Sequence, residues 1–171
     1  MDRTIKDALQ RDILSFDLPP YREIPNVGLF LEQTVKYISE YLAPLDDSVN
    51  LTGSMISNYV KKGIIKNPVK KQYAREQIAY LFYIAIAKSV LSLEDIQTML
   101  QLQTATYDIE EAYEYFRSEL KNILRLIFEM QDALEPYTQK NSDEKALLRN
   151  TIITAAHKIY LDKYFRYIRT N

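Results

Sequence analysis

Five lysines, Lys61, Lys62, Lys66, Lys70 and Lys71, fall within "LTGSMISNYVKKGIIKNPVKKQY" (51–73), a stretch without Asp or Glu. Clustered ammonium groups can neutralise phosphates and release their counterions, which gives salt-dependent and mostly sequence-independent binding. Within the same stretch, a rotation of about 100° per residue gathers Ser54, Ser57, Asn58 and Lys61 on one side of a helix. Met55, Ile56, Tyr59 and Val60 take the other side. Small hydroxyls, an amide and a lysine suit base edges and phosphates in a major groove. Any amphipathic helix followed by a lysine-bearing loop would share part of this pattern, so the residues alone leave DNA binding and a merely solvated face both open.

Other chemistries find little material here. The chain has no cysteine, which removes disulfides, thiol catalysis and thiolate metal sites. Its one histidine, His157, argues against a histidine metal centre or relay, and its position beside Ala155, Ala156 and Tyr160 reads as structural. Asp108, Glu110, Glu111 and Glu114 lack the alternating spacing and turn glycine of a calcium loop, and read as a solvated helix start favourable to the dipole. No phosphate-cradling glycine loop, nucleophile elbow or paired-carboxylate site occurs, so the expectation is no enzyme, no catalytic residue, no metal and no cofactor. Tyr160, Tyr164 and Tyr167 read as a packing stripe, while the abundance of tyrosine leaves open a pocket for a small-molecule effector.

The elements that must position the lysines can be read from period and punctuation. At 171 residues, with three glycines and six prolines, the chain suits a mainly helical domain with an extension. The longest apolar run, Ile78 to Ala87, has ten residues, which fits a buried helix and not a membrane span. The charged N-terminus "MDRTIKDALQRD" lacks a signal-peptide core, so a cytoplasmic location is expected. A short helix in the first fifteen residues is broken by "SFDLPPYREIPN" (15–26). Leu31, Val35, Ile38 and Leu42 predict a helix over 27–43, which Pro44 stops. A shorter helix should end at Lys62, with Gly63 as its left-handed stop. "IIKNPVKKQY" predicts a small hairpin turning at Asn67-Pro68. Arg75 opens an apolar helix, and Ser92 caps the next.

From Ile109, apolar residues at Tyr113, Phe116, Leu120, Ile123, Ile127, Met130 and Leu134 follow the spacing 4, 3, 4, 3, 4, 3, 4. This predicts a long helix with a coiled-coil-like seam, ended by Pro136, before a last helix over 142–169. Charge is segregated along the chain. Residues 51–75 carry six Lys/Arg and no acid, residues 92–144 twelve acids against four bases, and residues 145–171 six bases against one acid. The acidic segment is expected to point away from any DNA.

The order "MISNYVKKGII", basic hairpin, "QYAREQIAYL", "AKSVLSLEDIQTML" resembles the MerR-type winged helix-turn-helix. There an aromatic-ended recognition helix runs into a Gly-hydrophobic-hydrophobic step, here Tyr59 and Gly63-Ile64-Ile65. The wing ends at a tyrosine, matching Tyr73, and a later helix opens with the phrase matched by Ser92-Leu93-Glu94-Asp95-Ile96. "SMISNYVKKGIIKNPVKKQYAREQIAYL" is also similar to the bacterial family catalogued as domain of unknown function 1836. The resemblance spans about 20–105 and is specific over 54–100. The chain departs from the MerR pattern at Ser57-Asn58-Tyr59, where an arginine is usual, and in the connection 43–51, longer than a three- to four-residue turn.

The resemblance implies a mainly α fold: an N-terminal helical arm and Pro-rich linker (1–26), a winged helix-turn-helix with a β-hairpin wing (27–105), and a helical hairpin or coiled-coil-like extension (106–171). It implies a regulator that binds double-stranded DNA as a homodimer. Ser54, Ser57, Asn58 and Lys61 would enter the major groove, and Lys62, Lys66, Lys70 and Lys71 would hold phosphates. Phe116, Leu120, Ile123, Ile127, Met130 and Leu134 would join two copies, or would pack within the chain against 145–168. The alternative function is a helical interaction or adaptor module whose winged unit does not read DNA.

Overall fold

The computed structural model describes residues 3–133 and 142–170. In chain order, α1 (Arg3–Leu14) leads through a proline-bearing segment with a 3-10 turn at Tyr21–Glu23 to β1 (Leu29–Phe30) and α2 (Leu31–Leu42). A second 3-10 turn, Asp47–Val49, precedes α3 (Gly53–Lys61). Then come β2 (Gln72–Tyr73), α4 (Arg75–Ala87), α5 (Leu93–Thr106), α6 (Ile109–Ile127) and α7 (Asp143–Thr170). The described residues are mainly helical, as the sequence predicts. The helix expected over 27–43 starts late, because Leu29 and Phe30 pair as a strand with Tyr73 and Gln72.

Helix ends follow local chemistry. Thr52, Ser92 and Asp108 cap α3, α5 and α6, their side-chain oxygens accepting from the N–H three residues on at 3.2, 3.1 and 3.0 Å. Gly63, at φ +72°, ends α3. The Ile64 N–H donates to the Tyr59 carbonyl and the Gly63 N–H to that of Val60, both at 2.9 Å, the paired closure of a Schellman motif. The same closure ends α6 without a glycine. Glu129 takes φ +54°, the Met130 N–H reaches the Arg125 carbonyl at 2.8 Å, and the Glu129 N–H reaches Leu126 at 3.0 Å.

The seam helix, expected to run to Pro136, therefore stops at Ile127. The cause is tertiary. Gln10 of α1 donates to the Phe128 and Glu129 carbonyls at 2.7 and 3.2 Å, and Lys6 pairs with Glu129 at 2.6 Å. These contacts anchor the left-handed closure at Glu129 to α1.

One core runs through the molecule from Leu9 to Ile159. The apolar run of α4 lies at its centre, with Ile78, Leu81, Phe82 and Ile84 fully buried. Helix α6 lies along α7, and Phe116, Leu120 and Ile123 are 2%, 0% and 1% exposed within the single chain. The seam thus packs inside the chain, and these three residues are not free to join two copies. The apolar face Ile152, Ala155, Ala156 and Ile159 of α7 is buried in the same core, its alanines allowing close approach. Ile127 and Met130 are half-buried against that core, and Leu134 lies outside the described residues.

Two segments read as connections carry core residues instead. Leu45, Val49 and Leu51 bury the long link between α2 and α3. Phe16, Leu18 and Ile24 bury the proline-bearing segment, which is tied along α6. There the Tyr113 hydroxyl donates to the Pro19 carbonyl at 2.9 Å, Lys121 meets Asp17 at 2.6 Å, and the Tyr21 N–H meets Glu114 at 2.6 Å. Arg22 pairs with Glu110 at 2.6 Å, so Glu110 and Glu114 at the acidic start of α6 hold the proline-bearing segment.

Candidate nucleic-acid interface

Helix α3 is seated from below by Ile56 and Tyr59, 0% and 4% exposed. At its first turn, a Cβ on Gly53 would stand 3.3 Å from the Leu31 side chain, so α3 sits close on α2. This leaves Ser54, Ser57, Asn58 and Lys61 exposed together, the grouping that the helical wheel predicts, with Lys62 exposed just beyond the helix end. Met55 departs from the wheel: expected to pack inward, it is 38% exposed at the edge of the polar face.

The wing differs from the predicted hairpin. Its turn lies at Lys70-Lys71, with φ +49° and +63°, and Val69 bridges Gln72 across it. Two successive residues at positive φ are the mark of a type I′ turn, whose twist suits a two-residue hairpin. Asn67-Pro68 is not the turn. The Lys66 carbonyl before it accepts from the Gln77 side chain at 2.8 Å, and proline has no N–H to give a ladder. Gln72 also pairs with Phe30, so the wing leans on a strand 42 residues earlier in the chain, within the span 27–43 where the sequence predicts a helix.

The local charge sorts by contact. Arg75 turns inward, donating to the Ile24 and Arg22 carbonyls at 2.8 and 3.0 Å with its guanidinium over the Tyr21 ring. Lys66 stands 3.9 Å from Glu76, both well exposed, a pair of little energetic consequence. Among the described residues, Lys61, Lys62, Lys70 and Lys71 are exposed and take part in no ion pair. Four cations thus remain for an outside partner.

Sequence reasoning missed the apolar residues beside them. Phe30 and Val69, 51% and 75% exposed, flank Gln72 in one cross-strand row, and Val27 is 82% exposed nearby in sequence. Cross-strand partners share a face, but that pairing leaves no short-range signal in the chain. His157 is exposed on α7, and no group of His, Cys, Asp or Glu among the described residues could hold a metal ion. No helix among them is long and apolar enough to cross a membrane. Of the expected stripe Tyr160, Tyr164 and Tyr167, the first two pack against the core: Tyr160 meets Phe128 edge-on at 5.2 Å and stacks on Tyr164 at 6.3 Å.

Comparison with curated proteins and with solved structures finds no match. One family does match, over residues 19–116, a span that begins within the proline-bearing segment after α1 and takes in α2, α3, the wing, α4, α5 and the first part of α6. The chain belongs to the family described as Domain of unknown function (DUF1836).

Proposed function

We propose that this protein is a sequence-specific DNA-binding transcription regulator of the MerR-like winged helix-turn-helix type, acting as a homodimer. The reading is carried by one observation: four exposed lysines take part in no ion pair, Lys61 and Lys62 at the end of a helix face of small polar side chains and Lys70 and Lys71 at the tip of the wing that follows it. Helix α3 acts as the recognition helix. Ser54, Ser57 and Asn58 are short enough to let it lie deep, and Lys61 reaches guanine or phosphate oxygens. Lys62, Lys70 and Lys71 hold phosphates, and Lys66 joins them by exchanging its loose pairing with Glu76. Base contacts give specificity, while the wing adds affinity and fixes orientation.

A second copy would pair through the outer face of α7, because the α6 seam is occupied within the chain. Leu147, Leu161, Phe165 and Ile168 are about half exposed there, and their spacing of 14, 4 and 3 keeps a heptad register. Two recognition helices would then meet a two-fold operator.

Selection of bound fragments from genomic DNA, followed by titration against salt, tests the reading. A selected fragment should bind well above random DNA and lose affinity steeply as salt rises. Replacing Lys70 and Lys71 with Ala should lower the log–log salt slope by about two, roughly one per phosphate contact. Equal binding of selected and random fragments would remove the claim of specificity.

The exposed side chains of Phe30 and Val69, on either side of Gln72, favour a second reading, an adaptor whose winged unit meets protein. That reading requires no DNA binding at any salt, and loss of a protein partner on replacing Phe30 with Ser.

A further inference from the structure

Helices α4, α5, α6 and α7 meet around an apolar cleft of about 60 Å³, open on one side. Tyr83, Met99, Leu100, Ile109, Ala112 and Leu148 are among the residues that line it. Aromatic rings surround it, and their hydroxyls are mostly satisfied by the protein. Tyr107 donates to the Ser142 hydroxyl at 2.7 Å, Tyr113 to the Pro19 carbonyl at 2.9 Å, and Tyr80 bonds to Thr104. Tyr83 is the exception. It is 8% exposed, its ring is fixed edge-on against Phe116 at 5.6 Å, and its buried hydroxyl has no partner. A buried polar group left alone costs free energy that a bound acceptor would return.

The surrounding charges narrow the class of ligand. The position over the rings of Tyr107 and Tyr115 is taken by the protein's own cation, Lys145, at 4.8 and 5.3 Å from the two centroids. Lys145 also faces Glu111 at 3.8 Å, and Glu144 lies on the same rim, so an anion would meet two carboxylates against one ammonium. Neither a cation nor an anion is well served. Burial pushes the Tyr83 phenol well above its usual range, so it stays neutral and can donate.

We propose that this cleft binds a small neutral molecule with an apolar body and one hydrogen-bond acceptor, the acceptor meeting the Tyr83 hydroxyl. Apolar lining with one placed polar group is the usual make-up of a small-ligand site. At about 60 Å³ the enclosed part is smaller than the roughly 150 Å³ cavity that admits benzene, so a carbonyl and its nearest carbons go in and the rest faces the open side. This stands whether or not the protein binds DNA.

The test is a titration of the full chain, followed by the methyl NMR signals of Leu100, Ile109 and Leu148. Cyclohexanone is compared with methylenecyclohexane, which has the same shape without the acceptor. Cyclohexanone should shift these signals saturably and bind about three- to tenfold tighter than the hydrocarbon, the range of one neutral hydrogen bond. Tyr83→Phe should erase that preference while hydrocarbon binding persists. Ala112→Leu, which fills the cleft, should remove binding of both probes without lowering the melting temperature. The proposal is overturned if cyclohexanone produces no saturable shift, or if both probes bind alike, as when water satisfies the hydroxyl. Full-affinity ketone binding by either variant overturns it equally, and the Ala112→Leu result decides should Tyr83→Phe not fold.

Discussion

Lys70 and Lys71 hold backbone angles that lysine seldom adopts. Left-handed geometry costs a residue with a Cβ about 1–2 kcal/mol, and asparagine and glycine would fill a type I′ turn more comfortably. Both lysines nonetheless occupy it at φ +49° and +63°. A strained position that keeps a charged side chain points to a use for the charge, and phosphate contact is that use in the function proposed here. A trade-off follows. Converting the pair to Asn-Gly should raise unfolding stability by about 1 kcal/mol, measured by urea denaturation, while weakening DNA binding and flattening its salt dependence. Unchanged DNA affinity in that variant would show that the lysines are at the tip for another reason.

Among the elements, α6 and α7 show how one pattern can serve two ends. Heptad spacing marks a helix that must bury a stripe, but says nothing about whose side chains cover it. In this protein the cover is α7, and the pairing leaves a second apolar row on the outer side of that helix. Some 28 residues long, α7 reaches about 42 Å, enough for two copies to align over several turns. Replacing Leu161 and Phe165 with Asp should convert a dimer into a folded monomer, with light scattering reporting mass and circular dichroism reporting helix content. A dimer that survives both replacements would exclude this face. Substitutions in the buried seam, such as Ile123→Glu, would instead unfold the chain, since they place a charge in the core.

At the scale of the whole molecule, the α6–α7 pairing also buries a carboxylate. Glu119 is 2% exposed, and one of its oxygens lies 3.2 Å from the Arg149 guanidinium, close enough for attraction but misaligned for a hydrogen bond. Burial, opposed by Arg149 and by a hydrogen bond with Asn122, leaves its pKa above the ordinary carboxylate range. The folded chain therefore holds this proton to higher pH than the unfolded chain does. The contribution of Glu119 to stability is greatest below its unfolded pKa and falls as pH rises through the folded value. Glu119→Gln should accordingly melt a few degrees higher than the parent at pH 7, on the scale of about 1 kcal/mol for a chain of this length. The two melting curves should converge toward pH 4. A constant gap across that range would mean that Glu119 is ionised without penalty.

Much of this protein was legible from the chain alone, where the governing physics is local. Caps at Ser92 and Gly63, the amphipathic split of Ser54, Ser57, Asn58 and Lys61 from Ile56 and Tyr59, and the apolar run of α4 each depend on residues within a few turns of one another. Tertiary contacts decided the rest. Gln10 and Lys6 end α6, Phe30 supplies the strand beside the wing, Tyr113 and Glu114 bind the proline-bearing arm, and α7 claims the seam. Each of these joins residues far apart in sequence, and neither period nor propensity carries information about such a partner. The lysines were visible from the start; which of them remain free, and at what backbone angle they are held, emerged only once the chain had closed on itself.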